Sequence, residues 1–192
     1  MHGAVNIRLI LERLIPGAAR AGLISPRADG KRFDRLHGDV ALSRYREERL
    51  NPDDPARLAG EWREQAALCA ERGWPIQLGE FPDAGIFGPL RWLLGDEEGL
   101  IAFHTAPDLV HEIMDHFTSL YLTVWDQVVR EVRVDVIHLW EDMCYRGGPL
   151  ISPRHWEEFM GPCYRRITRF ADEHSIPVIS VDTDGNPELI TP

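Results

Sequence analysis

Cysteine is scarce in this sequence: Cys69, Cys144 and Cys163 are the only three in 192 residues, widely spaced and without a Cys-x-x-Cys pair. An odd, scattered set argues against a disulfide framework and shows no zinc framework, so the thiols read as free in a reducing compartment. Long hydrophobic runs are also missing. No stretch approaches the roughly 20 apolar residues of a membrane helix. Residues 1–20 lack the charged start and small-residue cleavage site of a signal peptide. The expected location is cytoplasmic, with no membrane partner. Positive charge is in short supply as well, with 21 Lys and Arg against 31 Asp and Glu, a net charge of −10 and a pI near 5.2. The long-range field repels polyanions. The basic residues at 8–20 and 27–35 are interspersed with apolar and acidic ones and form no aromatic-lined stripe, which excludes nucleic acid as an expected partner.

What is present is enough apolar residue to fill one core. Residues 1–52 carry a weak pattern and read as an irregular lead-in, with a helix over 5–15 stopped by Pro16-Gly17. Asp53-Asp54-Pro55 combines an acidic cap with a proline at the first helical position, which predicts a helix from there to Gly73. A short β-type run over 75–81 follows, then the glycine-rich stretch 85–89 and two helical stretches over 90–94 and 97–104. Pro107 opens a long helix in which Leu109, Ile113, Phe117, Leu120, Val124, Val128 and Val132 recur at helical spacing, so that face should be buried. Residues 135–140 read as a strand apolar on both faces, as in a covered parallel sheet. Ser152-Pro153 caps a helix running to His174, and 177–181 form a third strand.

Strands separated by helices imply crossover connections and a parallel sheet. The expected fold class is α/β, an incomplete (β/α)8 TIM-type barrel over residues 53–192. A complete barrel needs about 250 residues, and three strands cannot close one. The ending at 189–192 reads as the opening of a further element.

In parallel α/β folds the chemistry lies at the carboxyl ends of strands. The acidic residues gather there: Glu80 after the first strand, Glu141 and Asp142 after the second, Asp182 and Asp184 after the third. Strand alternation puts His138 with Asp142, and Ser180 with Asp182 and Asp184, leaving Ile137, Leu139, Ile179 and Val181 to face helices. Glu141, Asp142 and Asp184 are the candidate catalytic residues, with Glu80, Arg91, His138 and Asp182 as candidate substrate-binding residues. A shared acidic cleft should raise at least one carboxyl pKa by mutual repulsion. His104, His111 and His116 do not share a helical face at metal spacing and read as solvated or packed. Cys144 reads as structural, with no base beside it.

The run Trp140-Glu141-Asp142-Met143, then Gly148-Pro149-Leu150-Ile151-Ser152-Pro153, Phe159, Pro162 and Tyr164, and finally Val181-Asp182-Thr183-Asp184-Gly185-Asn186 resembles the uroporphyrinogen decarboxylase superfamily. Gly88-Pro89-Leu90-Arg91 with Gly95-Asp96-Glu97 and Pro107-Asp108-Leu109-Val110 is similar to its preceding segment, so the likeness spans residues 78–192. It implies a (β/α)8 barrel that serves either porphyrin biosynthesis, as a decarboxylase, or cobalamin-dependent methyl transfer. The latter would bring a corrinoid, or a corrinoid protein, and zinc, whose histidine and cysteine ligands would lie beyond Pro192. Uroporphyrinogen carries eight carboxylates, which an acidic cleft repels unless Arg91 and Arg146 offset it. Corrinoid-dependent methyl transfer of a small molecule is therefore the preferred expectation, uroporphyrinogen decarboxylation the alternative, and a non-catalytic truncated barrel the third. A homodimer is compatible with all three, and this partial chain alone is expected to be inactive.

Overall fold

Parallel strand pairing organises the chain in the computed structural model, which describes residues 5–6, 47, 50–58, 60–79 and 84–190. Strands β1 (Val5–Asn6), β2 (Ile76–Leu78), β3 (Val136–Trp140) and β6 (Val178–Asp182) lie in the order β1-β2-β3-β6. Every neighbouring pair is parallel, with Leu78 opposite Ile137 and Ile137 opposite Ile179. The fold is thus mixed α/β with a parallel sheet. A short antiparallel hairpin, β4 (Cys144–Tyr145) and β5 (Gly148–Pro149), stands apart from it in the loop after β3.

The helices are α1 (Trp62–Arg72), α2 (Phe87–Leu94), α3 (Asp96–Thr105), α4 (Pro107–Val129), α5 (Pro153–His155) and α6 (Gly161–Glu173), with a π-helical turn, Trp156–Met160, between the last two. Pro107 stands in the first turn of α4, where its missing N–H costs nothing. From α4 the chain buries Val110, Ile113, Met114, Phe117, Leu120, Tyr121, Val124, Trp125 and Val128. Five of the seven residues of the anticipated stripe are in this set, while Leu109 is only half-buried and Val132 lies past the helix end. The stripe is widened by a row because α6 also packs on it through Trp125 and Phe170, whose ring centroids are 6.3 Å apart. At the start of α5, Ser152 Oγ accepts from the His155 N–H at 3.1 Å. Ser152→Ala should therefore lower folding stability by about 1 kcal/mol in urea denaturation, with an unchanged m value.

Three expectations need correction. Val5 and Asn6 do not begin a helix over 5–15: they pair with Ile76 and Gln77 as an edge strand, and residues 7–15 lie outside those described. The helix expected over 53–73 is two elements, because Pro55–Leu58 form only a 3-10 turn and Gly60, at φ 105, breaks the chain before α1. Val181, expected to face a helix beside Ile179, is 40 % exposed, while Ile179 is half-buried against the core, so β6 is an edge of the described sheet that is only partly covered. Ile137 and Leu139 of β3, in contrast, are fully buried. No described helix is long and apolar enough to cross a membrane.

Candidate functional site

Glutamate 141 continues the inward face of β3. It follows Leu139 by two residues, so alternation carries it to the same buried side, and it has no exposed surface. There Ile86 N–H donates to both its oxygens at 3.0 Å, Phe87 N–H to Oε2 at 2.6 Å and the Tyr164 hydroxyl to Oε1 at 2.8 Å. The carboxylate thus satisfies amides at the start of α2 that have no partner within the helix. Burial pushes its pKa from 4.5 up to about 7, against the opposite pull of those donors. Glu141 is consequently no rim residue of an open cleft. The repulsion among carboxylates expected from the sequence is not what raises its pKa; removal from water is.

Asp142 behaves differently because the strand has ended. Its φ of 45° is left-handed, which turns the side chain away from the β3 register and separates it from His138. Arg91 Nη1 donates to the Asp142 carbonyl at 2.6 Å and to its Oδ2 at 2.9 Å, while Nη2 lies 3.0 Å from Asp96 Oδ1. The Arg91 side chain is 18 % exposed and that of Asp142 27 %, which makes this pair the most enclosed Arg–Asp contact at the sheet end among the described residues.

Around this pair lies an open groove of about 630 Å³, lined by Arg91, Asp96, Leu100, Asp142, Cys144, Tyr145, Arg146, Leu150, Asp184 and Gly185. Its walls come from α2, α3, the hairpin after β3 and the loop after β6, so it occupies the carboxyl edge of the sheet, where α/β folds place ligands. The two loops are locked together. Met143 N–H donates to Thr183 Oγ1 at 3.1 Å, and Gly185, at φ 75, presses so close to Tyr145 that a Cβ would meet its carbonyl oxygen at 2.3 Å. Three carboxylates (Asp96, Asp142, Asp184) face two guanidinium groups (Arg91, Arg146).

The groove unites three of the expected site residues, Arg91, Asp142 and Asp184, and leaves others elsewhere. His138 Nδ1 lies 3.2 Å from Ser180 Oγ on the open face of the sheet. Asp182 is exposed and contributes its backbone carbonyl to Glu141 N–H at 2.9 Å. Neither lines the groove, and Glu80 lies outside the described residues. Asp96, Tyr145 and Tyr164 received no role from the sequence. Gly95-Asp96-Glu97 does carry a readable signal, an acidic first turn of a helix, whereas Tyr164 meets Glu141 across 23 residues and gives no local sign.

A second cavity, of about 740 Å³, lies where β2 and β3 begin, between Trp74, Asp135 and the Arg63–Glu131 ion pair. That is the amino edge of the sheet, which in such folds serves stability. Cys69, Cys144 and Cys163 are free and buried. His104 meets the ring of His155, His111 stacks on Phe159, and His116 Nε2 lies 3.1 Å from the Leu50 carbonyl. Among the described residues no group of three or more His, Cys, Asp or Glu side chains could hold a metal ion. Compared with known proteins, the chain matches no family model, no curated protein and no solved structure.

Proposed function

We propose that the chain forms part of a (β/α)8 barrel of a divergent uroporphyrinogen decarboxylase-superfamily enzyme, and that its groove binds a small substrate of corrinoid-dependent methyl transfer. The observation that carries this reading is the charge state of the groove. Asp142, Asp184 and Arg91 all belong to the segments that resemble the superfamily, and Arg91 is already engaged by Asp96 and Asp142. A substrate with eight carboxylates would have to break that pairing and, among the described residues, would find only Arg146 beside it. A neutral or zwitterionic methyl donor or acceptor leaves the pairing intact.

The volume is that of a small-molecule site, so the groove fits the substrate and only the reactive face of a corrinoid. When bound, a corrinoid supplies a cobalt centre that carries the methyl group. Arg91 and Asp142 would orient the substrate and the reactive face of a bound corrinoid, Leu100 and Leu150 would supply the apolar wall, and Asp184, which has no arginine partner among the described residues, would handle a proton. The described residues offer no fit for zinc.

Calorimetry with methylcobalamin and with uroporphyrin as probes tests the reading. Methylcobalamin binding that weakens at least about tenfold in Asp142→Asn is expected, since one orienting hydrogen bond to a charged group is worth about 1.5–3 kcal/mol. Tight, salt-sensitive uroporphyrin binding that survives Asp142→Asn and disappears in Arg91→Ala would replace methyl transfer by decarboxylation. Binding of neither probe would favour a barrel without catalysis.

A further inference from the structure

We infer that Glu141 is a positioning residue for the groove: from inside the core it fixes the start of α2, and through that helix it holds the Arg91 guanidinium against Asp142. The inference rests on the reading above only in taking the groove as the working site.

The chain of contacts is short. Glu141 receives the Phe87 N–H at 2.6 Å. Arg91 stands four residues further on, over the same helix face, with its guanidinium carbon 5.7 Å from the Phe87 ring centroid. The guanidinium then reaches back to Asp142, the residue next to Glu141. Strand end, helix start and groove arginine therefore close a loop in which adjacent carboxylates hold the two ends of α2's first turn. From the other side, Tyr164 of α6 donates to the same carboxylate. A cradle surrounds it: a Cβ on Gly85 would sit 3.5 Å from Oε2.

Among the described residues the ionisable groups around Glu141 are few. Tyr164 and Cys163 approach from α6, and each has its pKa raised, chiefly by burial and further by the Glu141 charge. Arg91 lies one turn along α2 and is turned toward Asp142. The Asp182 carboxyl group on β6 is exposed, and only its backbone carbonyl meets Glu141. Among the described residues all the polar contacts to the Glu141 side chain are donors. Protonation must therefore turn at least one around, and the Tyr164 hydroxyl, which can accept as well as donate, is the one able to do so. Titration of Glu141 then changes the hold on the start of α2, and with it the seat of Arg91.

Arg91 itself reports the link. In ¹⁵N NMR of the ligand-free protein, its Nε–H signal should show one inflection near pH 7 in the native chain. The inflection should be absent in Glu141→Gln, which keeps the shape and cannot titrate. In Tyr164→Phe it should move to higher pH, because the lost hydroxyl stabilised the ionised form. An Arg91 signal flat with pH while the Glu141 carboxyl carbon titrates would overturn the inference and leave Glu141 purely structural. So would an inflection that persists unchanged in Glu141→Gln. If Glu141→Gln fails to fold, Tyr164→Phe decides alone, an unmoved inflection counting against the inference. No ligand enters this experiment, so its failure is distinct from failure of corrinoid or uroporphyrin binding.

Discussion

Replacing Gly85 by alanine is expected to cost about 3–5 kcal/mol of folding stability, or to prevent accumulation of folded protein, because the clash is with backbone that cannot step aside. A Cβ at Gly85 would lie 2.0 Å from the Trp140 carbonyl oxygen and 3.0 Å from its carbonyl carbon. Relieving that contact pulls the loop from the end of β3 and strains two neighbouring links, Trp140 N–H to the Ala84 carbonyl at 2.6 Å and Ile86 N–H to Glu141 at 3.0 Å. Gly73 is the comparator. It also lacks a Cβ, but a Cβ there would meet nothing within 4 Å, and its left-handed φ of 64° makes it the C-cap of α1. Gly73→Ala should cost only about 1 kcal/mol, the ordinary penalty for a side chain in that conformation. Urea denaturation of the two variants separates these cases; equal losses would mean that the Gly85 loop can relax.

What was legible in the sequence follows the range of the interactions. Ser152-Pro153 announced a helix start correctly because a cap acts over three residues, and the α4 stripe was readable because period and face lie within one segment. Parallel pairing of the three main strands followed from their alternation with helices. The pair Val5–Asn6 could not be read, since two residues carry no period and their strand exists only through Ile76 and Gln77. The helix expected over 53–73 failed at Gly60, where a φ of 105° outweighed a good capping signal.

The site was legible in part for a related reason. Alternation holds only inside a strand. Extended past Trp140 it paired Asp142 with His138, whereas the φ of 45° at Asp142 sends that side chain to Arg91, 51 residues back. Applied to Glu141, the same rule gives the buried Leu139 side, which the tidy picture of acidic strand ends had hidden. The Arg91–Asp142–Asp184 grouping was nevertheless foreseeable, because loops at the carboxyl edge of a parallel sheet converge whatever their internal shape.

Glu141 should make the protein less stable as pH rises from about 4.5 to about 7, by up to about 3 kcal/mol at 1.4 kcal/mol per pKa unit. The direction follows from the raised pKa. Between 4.5 and about 7 the folded chain retains a proton that the unfolded chain has released, so the unfolded state gains as protons become scarce. Below the lower value both states hold the proton and the contribution is complete; above the upper value it is lost. Other groups titrate across the same window, so the informative quantity is the native stability minus that of Glu141→Gln, measured by urea denaturation at each pH. That difference should fall as pH rises. A difference that instead grew with pH would mean that the Ile86 and Phe87 amides and the Tyr164 hydroxyl outweigh burial and hold Glu141 ionised. Glu141→Ala should be worse than either form at every pH, by about 3 kcal/mol or more, because it strands those donors in the core without an acceptor.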